Sequence, residues 1–313
     1  MPPTPISHWI GFHLALLLLL ALELAYARRP GKVTSTAAAS TVFWVDAALA
    51  FAGFLFRVLG SAAATQYLAG YALEESLSVD NLFVFLLLFR LFQISPLRQP
   101  KVLFWGVAGA VLMRGAFIAA GLGLLARFHW VEYIFAAILL VAAIRLLKPE
   151  PQQPADARTP AFIRWLSNVR PISQNQDHFL VRESPAPGDP PRRMATVLLL
   201  ALIAVELTDV VFALDSIPAV LSITRHPFVA YTSNIMAVMG LRSLYVLLAA
   251  ALSRLRFVHF GIAAVLAFAA LKMLLADWLI ISPLTSLAVI ATLLTITASL
   301  LKPPALKPQE NPL

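Results

Sequence analysis

The sequence contains no cysteine and few charged residues. The absence of cysteine from all 313 residues excludes disulfides, thiolate metal sites and cysteine-based redox chemistry in this chain. Only 13% of the residues are charged, which is about half of the share in an ordinary soluble protein. By contrast, 60% of the residues are hydrophobic, and the mean hydropathy is +0.81. These proportions are typical of a protein that crosses a membrane several times, so we expect the lipid bilayer to surround it.

Nine apolar stretches are each near the length that a helix needs to cross a bilayer. They cover roughly 8–27, 41–60, 66–92, 101–126, 130–148, 195–224, 228–252, 256–276 and 281–301. The sequence therefore predicts an all-α polytopic membrane protein with nine transmembrane helices. We divide it into two N-terminal helices (1–60), a first group of three (66–148), a loop (149–194), a second group of three (195–277) and a C-terminal helix (281–301).

The Lys and Arg residues predict the orientation. Most of them follow the odd-numbered apolar stretches, whereas the opposite loops hold little beyond Arg57, Arg127 and Arg225. Because basic loops stay in the cytoplasm, this pattern predicts an N-terminus outside and a C-terminus inside, with 149–194 in the cytoplasm. Topology also accounts for the net charge of +8 without any nucleic acid partner.

The first apolar stretch and the long loop need separate interpretation. Basic residues follow the first stretch instead of preceding it, so we predict a retained helix and not a cleaved signal peptide. It contains Glu23, which either reaches for the membrane interface or joins a site. In the loop, AFIRWLSNVR predicts a short amphipathic helix on the membrane surface and HFLVRE a short strand. We interpret the loop as a cytoplasmic connector.

Carboxylates form two related groups inside apolar segments. The first group spans Glu74 to Asp80 in YALEESLSVDNLFVFLLL, and the second comprises Glu206, Asp209 and Asp215 in LLALIAVELTDVVFALDSIPAVL. A charged side chain at bilayer depth is expensive, so such a cluster marks a functional site by default. We therefore predict that this chain moves a cation across a membrane.

The two three-helix groups resemble each other around these motifs. Aligning SLSVDNLFVF with FALDSIPAVL sets Asp80 on Asp215, and further landmarks follow in the same order. The paired positions are Asn81 with Ser216, Glu74 with Asp209, Arg114 with Arg242, and Arg145 with Lys272. Since each group has an odd number of helices, the two enter the membrane from opposite sides. The sequence thus predicts an inverted repeat, an architecture whose binding site lies between the repeats.

Helical periodicity predicts which motif residues share a face. Glu74, Ser78 and Asn81 form one stripe, and Glu206, Asp209 and Ser216 form the equivalent one. Asp80 and Asp215 lie one residue off these stripes and point aside in a straight helix. Pro218 cannot bond the carbonyl of Leu214, and a local helix break there would re-aim Asp215.

The available ligands are carboxylate, amide and hydroxyl oxygens, which suit Mn²⁺, Mg²⁺ or Ca²⁺. The six histidines lie near predicted helix ends or in loops, so Cu(I) and Zn²⁺ fit less well. Carboxylates that release a metal can take up protons, which supplies a route to metal–proton exchange. In the alternative reading, the carboxylates only neutralise Arg114 and Arg242. For both arginines we expect pairing with carboxylates or helix ends and no contact with substrate.

Long motifs resemble a known family. The strings EESLSVDNLFVFLLLF, LFWGVAGAVLMRGAFIAAG, FALDSIPAVLSIT and PFVAYTSNIMAVMGLRSLYVLLA are similar to the TerC family of bacterial membrane proteins, which includes Alx-type manganese exporters and lies within the LysE superfamily. The resemblance implies Mn²⁺ efflux across the bacterial inner membrane, with both acidic motifs in the metal path and no prosthetic group. The family was named for tellurium resistance. The chain departs from the usual pattern at Glu75 and His226, which add titratable groups beside the helices.

Three alternatives to metal export remain open at this point. A LysE-type metabolite exporter would need a larger cavity with fewer converging carboxylates. A non-transporting tellurium- or stress-resistance protein would show no flux. An intramembrane aspartyl protease would carry a GxGD-type motif, which this sequence lacks. On this basis we predict a metal site formed by Asp80, Asp215, Glu74, Asn81, Glu206, Asp209 and Ser216, with Glu23, Glu75, Ser78, Arg114 and Arg242 as accessory candidates.

Overall fold

The computed structural model describes residues 4–27, 33–120, 130–147, 172–184, 190–252, 258–276, 278–279 and 281–300. These residues form nine long helices: α1 (Ile6–Ala27), α2 (Val33–Leu59), α3 (Ser61–Leu91), α4 (Gln99–Ala120), α5 (Trp130–Leu147), α6 (Val197–Ile223), α7 (Pro227–Leu252), α8 (Val258–Leu274) and α9 (Pro283–Leu300). Each helix overlaps one of the nine predicted stretches. The amphipathic helix predicted for AFIRWLSNVR lies outside the described residues.

Among the described residues, five helices are long and apolar enough to cross a membrane. They are α1, α2, α4, α6 and α7. The 31-residue α3 is longer than any of these but carries three carboxylates, at Glu74, Glu75 and Asp80. The apolar parts of α5, α8 and α9 are shorter. Large apolar side chains such as Leu17 and Phe56, which are 61% and 59% exposed, cover the outer faces of α1 and α2. Such a surface suits lipid better than water.

The turn between α2 and α3 depends on a single glycine. Gly60 adopts φ 90° and ψ 174°, a backbone region that side chains with a Cβ avoid. The chain reverses there with one residue between two helices. This tight turn places α3 beside α2, and α7 packs against both.

The connector contributes a small sheet, which the all-α prediction omitted. Strand β1 (Ile172–Ser173) pairs in parallel with β3 (Arg192–Thr196), and β2 (Leu180–Glu183) pairs antiparallel with β3. Strand β2 is the strand predicted for HFLVRE. Thr196 ends β3 and caps α6, because its hydroxyl accepts a hydrogen bond from the Leu199 amide at 3.3 Å. The sheet therefore leads directly into the helix that carries the second acidic motif.

The helices that carry the acidic motifs lie at the centre of the bundle. Helix α3 packs against α2, α6, α7, α8 and α9, and α6 packs against α3 and α4. Helices α5 and α8 pack closely against each other. Helix α6 continues through Pro218 without interruption, so the local break that would have re-aimed Asp215 does not occur. The missing hydrogen bond at one carbonyl is insufficient to interrupt a helix that is held by tertiary packing on both sides of the proline.

Candidate functional site

A small buried cavity lies where α3, α6 and α8 meet. Its volume is about 20 Å³, which is room for one water molecule or one ion. It is lined by Glu74, Leu77, Asp80, Asn81, Phe212, Ser216, Ala269, Lys272 and Met273. The two acidic motifs thus meet at one place, and the second group of helices adds a lysine.

Asp80 faces this cavity together with Asn81, although ideal helical periodicity predicted that it would point aside. The Lys272 ammonium lies 3.0 Å from Asp80 Oδ2. The Ser286 hydroxyl of α9 donates to the same carboxylate, at 3.2 Å from Oδ2 and 3.4 Å from Oδ1. Both carboxylate oxygens therefore have partners from helices far away in the sequence. Asp80 lies one residue off the stripe formed by Glu74, Ser78 and Asn81, yet it still lines the cavity, because α8 and α9 pack against that side of α3.

Two cavity oxygens lack a hydrogen-bond partner among the described residues. Asn81 Oδ1 and Ser216 Oγ are buried, and no donor reaches either of them. They occupy equivalent positions in the two aligned motifs. Buried polar atoms are almost always paired in native proteins, so two unpaired oxygens on one cavity are available to accept a hydrogen bond from water or to coordinate a cation. Ser78 Oγ is also buried and unpaired, but Ser78 does not line the cavity.

Arg114 on α4 joins the two acidic motifs on the far side of Glu74. The Arg114 guanidinium is completely buried and donates to both carboxylate oxygens of Asp209, at 3.1 Å from Nε and 2.8 Å from Nη2. Its Nη1 donates to Glu74 and, at 2.8 Å, to Asn234 Oδ1. Asn234 in turn donates to the second Glu74 oxygen at 2.9 Å. This closed network fixes Glu74 and Asp209, so neither is a freely moving ligand.

Glu206 and Glu75 lie against glycines of neighbouring helices. A Cβ placed on Gly109 of α4 would lie 2.0 Å from Glu206 Oε1, so the carboxylate occupies the space that a side chain would need. The Glu75 carboxylate bonds with Tyr71, and a Cβ on Gly240 of α7 would lie 3.4 Å from its Oε1. Neither carboxylate lines the cavity. Glu206 lies one helical turn from Asp209, whereas Glu75 faces away toward α7.

The remaining predicted residues take other places. Glu23 is buried and pairs with Arg242 at 2.5 Å, which fastens α1 to α7. It does not line the cavity. Asp215 belongs to α6, but its side chain lies outside the described residues. Within the described residues, no three Asp, Glu, His or Cys side chains form a metal-binding group. Among the described residues, the oxygens on the cavity belong to Asp80, which pairs with Lys272, to Glu74, which pairs with Arg114, and to the Asn81 amide and the Ser216 hydroxyl.

Sequence reasoning missed three residues that contact the motif carboxylates. Lys272 was aligned with Arg145 but given no role, although a lysine inside FGIAAVLAFAALKML is a recognisable signal. Asn234 lies in the apolar stretch YTSNIMAVMG, where an amide is similarly unusual. Ser286 gave no signal, because serine is common in membrane helices and its sequence neighbours are ordinary.

The fold and the cavity define an integral membrane protein whose buried polar groups lie between its helices. The chain belongs to the TerC family: residues 59–307 match the model described as "Integral membrane protein TerC family". The protein is therefore embedded in a membrane.

Several relatives are similar over most of the chain. The membrane protein STKORF319 of Myxococcus xanthus is 38% identical over 302 residues, which cover 94% of this chain and 92% of that protein. The Escherichia coli (strain K12) protein named "Putative membrane-bound redox modulator Alx" is 37% identical over 302 residues, which cover 92% of this chain and 92% of that protein. The chloroplastic thylakoid membrane protein TERC of Arabidopsis thaliana is 38% identical over 233 residues, which cover 74% of this chain and 59% of that protein. No solved structure matches.

Proposed function

We propose that this protein exports a divalent metal cation, with Mn²⁺ as the first candidate, through the cavity between its two acidic motifs and in exchange for protons. One observation carries the proposal: a cavity of about 20 Å³ is lined by oxygens from both motifs, and two of these oxygens have no donor among the described residues. An ion placed there would meet Asp80, Asn81 and Ser216, and Asp215 is proposed as a further ligand from the same turn of α6. All of these are hard oxygen ligands, which Mn²⁺ and Mg²⁺ prefer.

The charges around the cavity support a divalent substrate. The three carboxylates of Glu74, Asp80 and Asp209 pair with two cations, Arg114 and Lys272. When all five groups are ionised, the described part of the site carries one excess negative charge, and Asp215, the further proposed ligand, adds a second. A divalent cation would neutralise this excess, and protons would do so after the cation leaves. The arrangement therefore suits exchange of a metal for protons.

The packing supports an inverted repeat of α3–α5 and α6–α8. Helix α3 packs on α7 and α6 packs on α4, as a two-fold relation requires. The close contacts are also related: Gly70 of α3 meets Ser233 of α7, while Gly106 of α4 meets Val205 of α6. Under the alignment that pairs Asp80 with Asp215, Gly70 corresponds to Val205. Under the alignment that pairs Arg114 with Arg242, Gly106 lies one residue from the position matching Ser233. We propose that the cavity lies at the interface of two such repeats.

The connector supports the predicted orientation in the bacterial inner membrane, with the N-terminus outside and the C-terminus inside. Asp177 pairs with Arg98, and the Ser95 amide donates to Gln176 at 2.9 Å. The connector and the α3–α4 turn therefore lie on one side of the bundle, the side that the Lys and Arg residues predict to be cytoplasmic. A reporter that works only in the cytoplasm is expected to be active when fused at position 170, and a reporter that works only outside the membrane is expected to be inactive there. Activity of an external reporter at this position would contradict the orientation.

The cavity also bears on the alternatives. Pockets for small organic molecules usually measure about 300–1,000 Å³, so a cavity of about 20 Å³ favours an ion over a metabolite. The name of the Escherichia coli relative describes redox modulation. This chain has no cysteine, so a redox effect that uses thiols would need another protein.

A growth experiment tests the proposal. Cells that depend on this protein for Mn²⁺ export should become Mn²⁺-sensitive with Asp80→Asn or Asp215→Asn, because each variant removes a charged ligand while preserving side-chain shape. Ser222→Ala is the matched control, since Ser222 is exposed on the same helix as Asp215 and its hydroxyl donates to the Ala219 carbonyl of the same turn. Membrane abundance is measured for every variant. Full resistance in the Asp80→Asn, Asp215→Asn double variant would contradict the site.

A further inference from the structure

Lys272 occupies the position from which a substrate cation would have to bind Asp80. Its ammonium lies 3.0 Å from Asp80 Oδ2 and 3.4 Å from Ser286 Oγ, and it lines the same cavity as Asn81 and Ser216. The lysine side chain is 16% exposed and that of Asp80 only 6%. The pair is thus largely buried, and both residues line the cavity.

A metal ion and this ammonium exclude each other at Asp80. A small divalent cation binds a carboxylate oxygen at about 2.1 Å, so it would lie within a few ångströms of an ammonium that remained at its present distance. Two cations so close repel strongly in a poorly solvated site. The ammonium is a point charge on a flexible four-carbon stem, so it can leave Asp80 without a change in the helices.

The distribution of hydrogen bonds in the cavity fits such a competition. Asp80 has donors for both of its oxygens, from Lys272 and Ser286. Among the described residues, Asn81 Oδ1 and Ser216 Oγ have none. The side of the cavity formed by the two aligned motif positions is therefore open to a cation. Of the described carboxylates that line the cavity, Asp80 alone lacks an arginine partner, and it is held by a cation of the protein itself.

We propose that Lys272 is a built-in competitor of the transported cation: its ammonium satisfies Asp80 when the site is empty and must be displaced when the metal binds. This inference rests on the proposed function. A competing charge weakens binding, and a transported ion must bind weakly enough to leave again. Lys272 is accordingly a positioning and affinity-setting residue and not a metal ligand.

The test measures Mn²⁺ binding to the purified full-length protein in detergent, with MnCl₂ as the probe and free Mn²⁺ followed by electron paramagnetic resonance. Lys272→Met removes the competing charge with similar length, and we expect Mn²⁺ to bind about tenfold more tightly, or more, within the usual range of coupling between two linked sites. Lys272→Arg keeps a permanent charge and should bind no more tightly than the wild type. Arg57→Met is the matched control, since it removes one exposed positive charge on α2, far from the cavity, and should leave affinity unchanged.

Transport separates this role from a structural one. In proteoliposomes, Lys272→Met should lower both the KM and the maximal rate of Mn²⁺ flux, because the ion enters easily and leaves slowly. A merely destabilised protein would lose rate without a lower KM. Lys272→Gln, which can still bond Asp80 and Ser286, provides a second neutral variant and should also bind more tightly than Lys272→Arg. Each variant is checked for a monodisperse elution profile before measurement.

The outcomes distinguish the two proposals. No Mn²⁺ binding to the wild type would overturn the proposed function and this inference with it. Binding to the wild type that is weakened by Asp80→Asn but unchanged or weakened in both Lys272→Met and Lys272→Gln would overturn only the role of Lys272. Mn²⁺ binding that is tighter than in the wild type in both Lys272→Met and Lys272→Gln, but not in Lys272→Arg, would establish the competition.

Discussion

The buried guanidinium of Arg114 provides a quantitative prediction about how the two acidic motifs are held. Replacing it by methionine keeps an apolar stem of similar reach but removes four hydrogen bonds and the only cation that contacts Glu74 and Asp209 among the described residues. Asp209 and the Asn234 amide oxygen would then remain buried without the donor that Arg114 provides, and Glu74 would keep only the Asn234 amide as a donor among the described residues. We expect Arg114→Met to destabilise the folded protein strongly.

The magnitude follows from two estimates. Hydrogen bonds between membrane helices contribute about 0.6 kcal/mol each on average, so four bonds set a lower value of about 2.4 kcal/mol. Breaking a buried ion pair by removing one partner costs roughly 3–5 kcal/mol, because the other charge remains uncompensated. The two estimates bracket an expected loss of about 3 kcal/mol in the free energy of unfolding. Arg114→Lys keeps the charge but cannot bond both Asp209 oxygens and Glu74 in the same geometry, so its loss should be intermediate.

Unfolding of the purified variants in mixed detergent micelles measures this loss. Adding Glu74→Gln and Asp209→Asn to Arg114→Met removes the uncompensated charges, so the triple variant should recover part of the lost stability. Arg57→Met is the control, because Arg57 is exposed and its replacement should change stability by less than about 0.5 kcal/mol. A loss below about 1 kcal/mol for Arg114→Met, or a triple variant less stable than the single one, would refute this account of the network.

Further predictions concern stability, measured as unfolding in detergent. Gly60→Ala should lose roughly 1–3 kcal/mol of unfolding free energy, because the turn requires φ 90°. Gly53 is an exposed helical glycine with nothing within 4 Å of an added Cβ, so Gly53→Ala should be unchanged or up to about 1 kcal/mol more stable. Equal effects of the two substitutions would argue against the turn geometry. Gly70→Ala should lose about 1–3 kcal/mol, because its Cβ would lie 2.8 Å from Ser233 Oγ; a neutral result would show that α3 and α7 are less closely packed than described. Asp177→Ala removes an exposed ion pair and should cost under about 1 kcal/mol; a larger loss would mean that the connector docks more tightly than its exposure indicates.

Helix positions were predictable from the sequence because apolar length is a strong signal in membrane proteins. The nine predicted stretches each overlap a helix, and the strand predicted for HFLVRE is present as β2. The sheet around β2 was missed, since β1 has only two residues and eighteen residues separate it in the sequence from its partner strand β3. A two-residue strand has no periodicity that could reveal it.

The two acidic motifs could be recognised in the sequence, but the partners of their side chains could not. Glu74, Asp80, Asn81 and Ser216 share one cavity, as the motifs suggested, but Glu74 is bound by Arg114 and belongs to a rigid network. Periodicity within one helix cannot reveal which neighbour supplies a counter-charge, because that depends on tertiary packing. For the same reason Arg114 and Arg242, aligned as equivalents, have different partners: Arg242 pairs with Glu23 of α1, a helix outside the repeats.

Radiolabelled Mn²⁺ flux into proteoliposomes tests the central claim most directly. The purified wild-type protein is predicted to carry Mn²⁺ down an imposed gradient, faster when an opposing pH gradient supplies protons for exchange, and the Ser222→Ala protein is predicted to match it. The Asp80→Asn protein, reconstituted at equal density, is predicted to lose most of this flux. Wild-type flux no greater than in protein-free liposomes, or full flux in the Asp80→Asn, Asp215→Asn double variant, would contradict the account.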